Sequence, residues 1–229
     1  MTDFHDELFT STVNGDLESL RIILALGADP RHNNSLPISL AAENGHAECV
    51  KLLIPLSDPK SRDSLALVLA ATSGHAECVR LLIPVSDPEA NSSNALRWAA
   101  INGHAECVRL LIPVSDPEAN SSNALRWAAV NGHAECVKLL IPASGPLLQN
   151  KTVLAAAMTC GNAETLSHML ASEPLLLDGQ DLFAHQDAAI ANGHAELALL
   201  LCSHIEQQAL SGLLSASTSN DNSMSRNRL

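Results

Sequence analysis

The chain has 229 residues, 46% of them hydrophobic but only 2% aromatic, and carries 25 acidic against 13 basic side chains for a net charge of −12. So acidic a balance argues against a nucleic-acid backbone as partner, because that binding is driven by basic patches. There is neither a charged-then-apolar leader at the N-terminus nor an apolar run near ~18 residues for a membrane span, so a soluble cytoplasmic chain is expected.

Along the chain, Asp3, His5, Asp6 and Glu7 give a first helix a polar start, and VNGDLESLRIIL follows around Gly15. GHAEC followed by V-K/R-LLIP then occurs four times, beginning at Gly45, Gly74, Gly103 and Gly132, always 29 residues apart (74−45, 103−74, 132−103). The register extends to Gly161 in CGNAETLSHML and to Gly193 in ANGHAELALLL. A period of this size marks stacked supersecondary units, here seven.

Each unit is predicted to hold one helix before its glycine and one after. In the fourth, the first runs over about 95–102 with Ser92 or Ser93 as N-cap. Gly103 suits the left-handed residue that ends it. The second covers about 105–112, and Pro113 blocks its continuation. Residues Ile205 to Leu214 read as a closing helix, and SASTSNDNSMSRNRL beyond has too few apolar residues to pack. The expected division is therefore an array over 1–214 and a disordered polar tail over 215–229.

SLPISLAAENGHAECVKLLI at Ser35 to Ile54 and NALRWAAINGHAECVRLLI at Asn94 to Ile112 resemble the ankyrin repeat, with its paired alanines, Gly-His turn and apolar second helix. ALGADP at Ala25 to Pro30 resembles an ankyrin opening more closely still, and the resemblance covers about residues 3–204. It implies an all-α helix-turn-helix solenoid. The family period is about 33 residues. The residues missing here fall in the link that forms the projecting β-hairpin finger, so blunt turns are expected. The resemblance also implies protein binding without catalysis and with no cofactor or small-molecule substrate.

With few aromatics, the core must be Leu, Ile, Val and Ala. The pairs Ala41 and Ala42, Ala70 and Ala71, Ala99 and Ala100, and Ala128 and Ala129 allow neighbouring helices to approach to roughly 8–10 Å. Cys49, Cys78, Cys107 and Cys136 hold one repeat position on the buried side of the second helix, which points to a reducing compartment.

Four His-x-x-Cys pairs (His46 and Cys49, His75 and Cys78, His104 and Cys107, His133 and Cys136) have a spacing that can join metal ligands. A turn histidine bonding loop backbone beside a core cysteine is the better reading. A Cys-His nucleophile needs one organised site with an orienting group and an oxyanion pocket, which four copies of a packing position do not provide. Asp58, Asp87 and Asp116, each before a proline, are most simply turn residues.

A partner would meet the first helices where they face the concave groove. Five residues before each glycine stand Thr10, Leu40, Leu69, Trp98, Trp127, Ala156 and Ala188, and the two tryptophans are the chain's only ones. Positions three and four apart share a helix face, so Trp98 groups with Ile101 and Asn102, and Trp127 with Val130 and Asn131. Leu69, Thr72 and Ser73 extend the patch. Against this, the indoles would cover part of the next first helix in any case, and Val85 to Ala100 is repeated identically as Val114 to Ala129, so the second is readable as a copy. Arg97 and Arg126 point about a quarter-turn away and are expected to brace the shortened turns.

The short GHAECVKLLIP style looks like repeats of bacteria and their phages. It implies an effector or symbiosis factor occupying a host protein, or an intracellular inhibitor or adaptor of a microbial protein. A metal- or redox-responsive His/Cys protein is the third reading. The tail with Arg226 and Arg228 reads as an export signal or, preferably, a frayed terminus.

Overall fold

A computed structural model describes residues 4–145, 151–172 and 179–226. Their fourteen helices fall in pairs: α1 (His5–Asn14) with α2 (Leu17–Ala25), α3 (His32–Glu43) with α4 (Ala47–Leu53), α5 (Ser61–Ser73) with α6 (Ala76–Leu82), and α7 (Ala90–Ile101) with α8 (Ala105–Leu111). The series continues with α9 (Ala119–Val130) and α10 (Ala134–Leu140), α11 (Lys151–Thr159) and α12 (Ala163–Ser172), and α13 (Gly179–Ala191) and α14 (Ala195–Arg226). No strand occurs among the described residues.

First helices pack in one row from α1 through α3, α5, α7 and α9 to α11. Second helices pack in another, from α2 through α4, α6, α8, α10 and α12 to α14. Between the rows lies one continuous core, in which Leu67, Leu96, Leu125, Leu82, Leu111 and Leu140 are fully buried. Both alanines of each pair are fully buried too, and their small side chains let the two rows of short helices come close.

The local breaks follow from side-chain chemistry. Gly74 has φ +82 and ends α5, and Gly103 has φ +77 after α7. Each complete second helix of the central units is seven residues long and then tightens into a 3-10 turn with proline at its second position, as in Ile83–Val85 and Ile112–Val114. Proline has no N–H for the next α-helical bond, and a tighter turn uses the carbonyls left over. The chain thus runs one turn beyond Ile112 rather than stopping at Pro113.

The link between units differs from the expectation of a serine N-cap. Asn91, Ser92 and Ser93 are all left-handed (φ 50, 57 and 56), as are Arg62, Asp63 and Ser64 (φ 53, 55 and 60) and Asn33, Asn34 and Ser35 (φ 50, 57 and 60). One left-handed turn therefore precedes the right-handed part of α3, α5 and α7. The hydroxyl that might have capped the helix faces the following unit instead. Ser35, Ser64 and Ser93 are buried, and each Oγ accepts from the backbone N–H 23 residues on, of Asp58, Asp87 and Asp116 (2.9, 2.8 and 2.9 Å). Those aspartates close their own turns: Oδ1 of Asp87 accepts from Glu89 N–H (3.2 Å), and that of Asp116 from Glu118 N–H (2.9 Å). This is the shape of the blunt connection.

At the C-terminal end, α14 runs unbroken through the Ile205–Leu214 segment to Arg226. The expected separate closing helix is continuous with the second helix of the seventh unit. Among the described residues no helix is long and apolar enough to cross a membrane.

Candidate functional site

The histidines after the glycines tie the units together. In the fifth unit, His133 Nε2 lies 2.9 Å from the carbonyl of Ile101 in the unit before, and in the fourth, His104 Nε2 lies 3.0 Å from that of Thr72. A carbonyl only accepts, so Nε2 carries the proton in both rings. His46 does the same to Val13 (2.7 Å). Asn162 replaces histidine in the sixth unit and has two roles: Nδ2 donates to Gly132 O (3.2 Å) and Oδ1 accepts from Thr165 N–H (2.8 Å), capping α12. The bond to loop backbone expected of these histidines is therefore a bond between units.

The His-x-x-Cys partners point in different directions. Cys49, Cys78, Cys107 and Cys136 are buried in the core. Burial, followed by the charges of Glu77, Glu106 and Glu135 respectively, pushes the thiols of Cys78, Cys107 and Cys136 from the ordinary value of 9.0 up to about 11. Thiols so shifted are poor nucleophiles and poor metal ligands. No group of three or more His, Cys, Asp or Glu among the described residues is arranged to hold a metal ion.

The residues expected to line the groove lie in the C-terminal halves of α5, α7 and α9 and, for Asn102 and Asn131, at the caps just after α7 and α9. Trp98 is 36% exposed, whereas Trp127, Leu69, Thr72, Ile101 and Val130 are half-buried and Ser73, Asn102 and Asn131 are exposed. The two asparagines are already engaged. Asn102 Nδ2 donates to Thr72 O and Asn131 Nδ2 to Ile101 O, both at 2.7 Å, so each shares its acceptor with the histidine two residues later. Thr72 Oγ1 donates to Val68 O (2.7 Å). What each asparagine can still bring to a partner is its acceptor oxygen and its second amide hydrogen.

Arg97 and Arg126 reach back to the start of their helices, as a brace of the link would, and also meet the indoles: the guanidinium carbon of Arg97 stands 5.5 Å from the centroid of the Trp98 ring and that of Arg126 4.8 Å from the Trp127 ring. Asn94 Oδ1 accepts from Arg97, and Asn123 Oδ1 from Arg126 (2.9 Å), which fixes each guanidinium against its indole. An adjacent residue reaches the ring because a long side chain lies back along the helix, which the quarter-turn argument left out.

Two depressions lie outside this patch. One of about 500 Å³ is lined at the N-terminal end by Asp6, Glu7, Asp16, Ile22 and Leu26 among others. The other, of about 440 Å³, lies at the C-terminal end between α13 and α14. Neither includes a residue of the groove patch.

A family model described as ankyrin repeats, in three copies, matches residues 8–94 and 84–150. Together the matches span 143 of the 229 residues (150−8+1), and the chain belongs to the ankyrin-repeat family. No curated protein matches it. Ankyrin repeats are generic protein–protein interaction modules and are typically non-catalytic.

Proposed function

We propose that this chain binds a partner protein across the first-helix groove, with the contact centred on Trp98, Ile101, Asn102, Trp127, Val130 and Asn131 and extended by Leu69, Thr72 and Ser73. The observation that carries the reading is the pair of Arg-on-Trp stacks, repeated in two adjacent units and found at no other first-helix position, since the chain has no further tryptophan. Trp and Arg are the residues most enriched where interfaces hold their binding energy. Here both are presented on a helix, each arginine bonded to an asparagine and lying against its indole, so less side-chain freedom remains to be lost on binding.

The experiment is affinity capture with mass spectrometry, followed by binding and melting of the Trp98→Ala, Trp127→Ala double variant against the captured protein. Binding weakened at least tenfold with near-normal melting supports the groove. Full binding, or collapsed stability, removes it.

The bacterial and phage style of the repeats supports a finer setting, that of an effector or symbiosis factor occupying a host protein. The division into an array over 1–214 and a polar tail over 215–229 belongs to the same proposal. Export of wild type but not of a tail-deleted variant favours the effector. Retention of both favours an intracellular inhibitor or adaptor of a microbial protein.

A further inference from the structure

The C-terminal face of the array is chemically unlike every face inside it. At six successive glycines the space beside Cα is filled by the next unit: His46 over Gly15, His75 over Gly45, His104 over Gly74, His133 over Gly103, Asn162 over Gly132 and His194 over Gly161. At Gly193, nothing among the described residues lies within 4 Å of the corresponding point. Gly193 lines the depression of about 440 Å³ together with Gln186, Ile190, Ala195, Ala198, Leu199 and Cys202.

Three of these residues break the repeat register. Three residues before the glycine the earlier units place Thr12, Ala42, Ala71, Ala100, Ala129 and Met158, all buried, whereas Ile190 is 60% exposed. Six residues after it they place Arg21, Lys51, Arg80, Arg109, Lys138 and Ser167, all exposed, whereas the seventh has Leu199, 71% exposed. Seven residues before it they bury Leu8, Ile38, Leu67, Leu96, Leu125 and Leu154, and the seventh has Gln186. A further regular unit seated here would bury the Gln186 amide where its neighbours bury leucine, and would leave Leu199 in water. The face is therefore not shaped for one, yet it exposes a contiguous apolar surface of the kind that marks an interface.

We infer that two copies of this chain pair through their C-terminal faces about a two-fold axis, with Leu199 and Ile190 of each packed against the other. None of the described residues lining the depression is charged, and the one carboxylate in contact with them, that of Glu206 at 3.9 Å from Cys202 Sγ, is exposed, so the apolar centres of two such faces meet without a carboxylate between them. Self-pairing of one patch also closes the assembly at two. The N-terminal face of a second copy is the poorer occupant. Its exposed Ile22 and Leu26 share their depression with Asp6, Glu7 and Asp16, carboxylates that head-to-tail packing would have to desolvate. Asp16 also stands where the later units carry the histidine or asparagine that fills a glycine socket.

The test is the mass of the full chain by light scattering as concentration is raised, for wild type, Leu199→Lys and Ile22→Lys. Leu199→Lys restores the basic residue that five other units carry at this exposed position, and unchanged helical circular dichroism verifies its fold. Wild type and Ile22→Lys are expected to reach twice the 24.2 kDa protomer, and Leu199→Lys to stay at one. Wild type remaining monomeric, Leu199→Lys pairing as wild type does, Ile22→Lys dissociating, or mass growing beyond two protomers would each overturn the two-fold pairing.

Discussion

His104 occupies the space that a side chain on Gly74 would need: a Cβ built there would stand 2.5 Å from the ring's Nδ1. The same glycine has φ +82, so two constraints coincide at one residue. Gly74→Ala should lose about 1–2 kcal/mol to the left-handed backbone and about 1–3 kcal/mol more to overpacking. Denaturant unfolding of Gly74→Ala alone and combined with His104→Ala separates the two parts. If the clash is real, the second substitution costs less in the Gly74→Ala background than in wild type.

The left-handed turns make opposite predictions for neighbouring residues. Arg62 sits at φ 53 and is exposed, so Arg62→Gly should stabilise by up to ~1 kcal/mol, the relief of backbone strain exceeding glycine's added entropy in the unfolded chain. Ser64→Ala should do the reverse, because it removes the acceptor for Asp87 N–H. The bond is only part-buried, so its loss should cost about 0.5–1.5 kcal/mol. Urea midpoints of the two variants should fall on either side of wild type.

Alkaline pH should unfold the array in a defined window. The unfolded chain ionises its thiols from about pH 9.0, whereas Cys78, Cys107 and Cys136 hold their protons in the fold until about pH 11. Above pH 9.0 the unfolded state binds fewer protons than the native one, so stability is intact below that pH and falls as pH rises toward 11. Serine at Cys78, Cys107 and Cys136 should flatten this part of the profile. An equally steep decline in that triple variant would place its cause elsewhere.

Asn131 tests how far groove and scaffold share residues. Asn131→Ala loses the bond to Ile101 O, and at an exposed position that should cost about 0.5–1.5 kcal/mol. Melting should therefore shift more for Asn131→Ala than for Ser73→Ala, a groove position that is exposed at the end of α5.

What could be read from the sequence was whatever repeats within a unit. The glycine ends, the prolines and the buried alanine and cysteine columns each declare themselves by residue type and spacing. Relations between units did not. Ser93 has the chemistry of an N-cap, and only the position of Asp116 in the next unit shows where its hydroxyl points. Asn102 and Asn131 look like a polar rim in one dimension and prove to be inter-unit struts in three. The groove tryptophans were visible as an irregularity in one column. Ile190 and Leu199 are irregularities of the same sort, and searching every column for departures would have found them.

In the central units the bonds that join neighbours keep fixed separations, 23 residues forward as from Ser93 to Asp116 and 32 back as from His133 to Ile101. Removing or inserting 29 residues in register therefore leaves each donor facing an equivalent acceptor. Val85 to Ala100 and Val114 to Ala129 are the same sixteen residues, so excision of 100–128 joins Trp98-Ala99 to Ala129 and restores an unbroken unit. An array built this way can lengthen or shorten by simple recombination between its own copies and still fold, and the number of groove tryptophans changes with it.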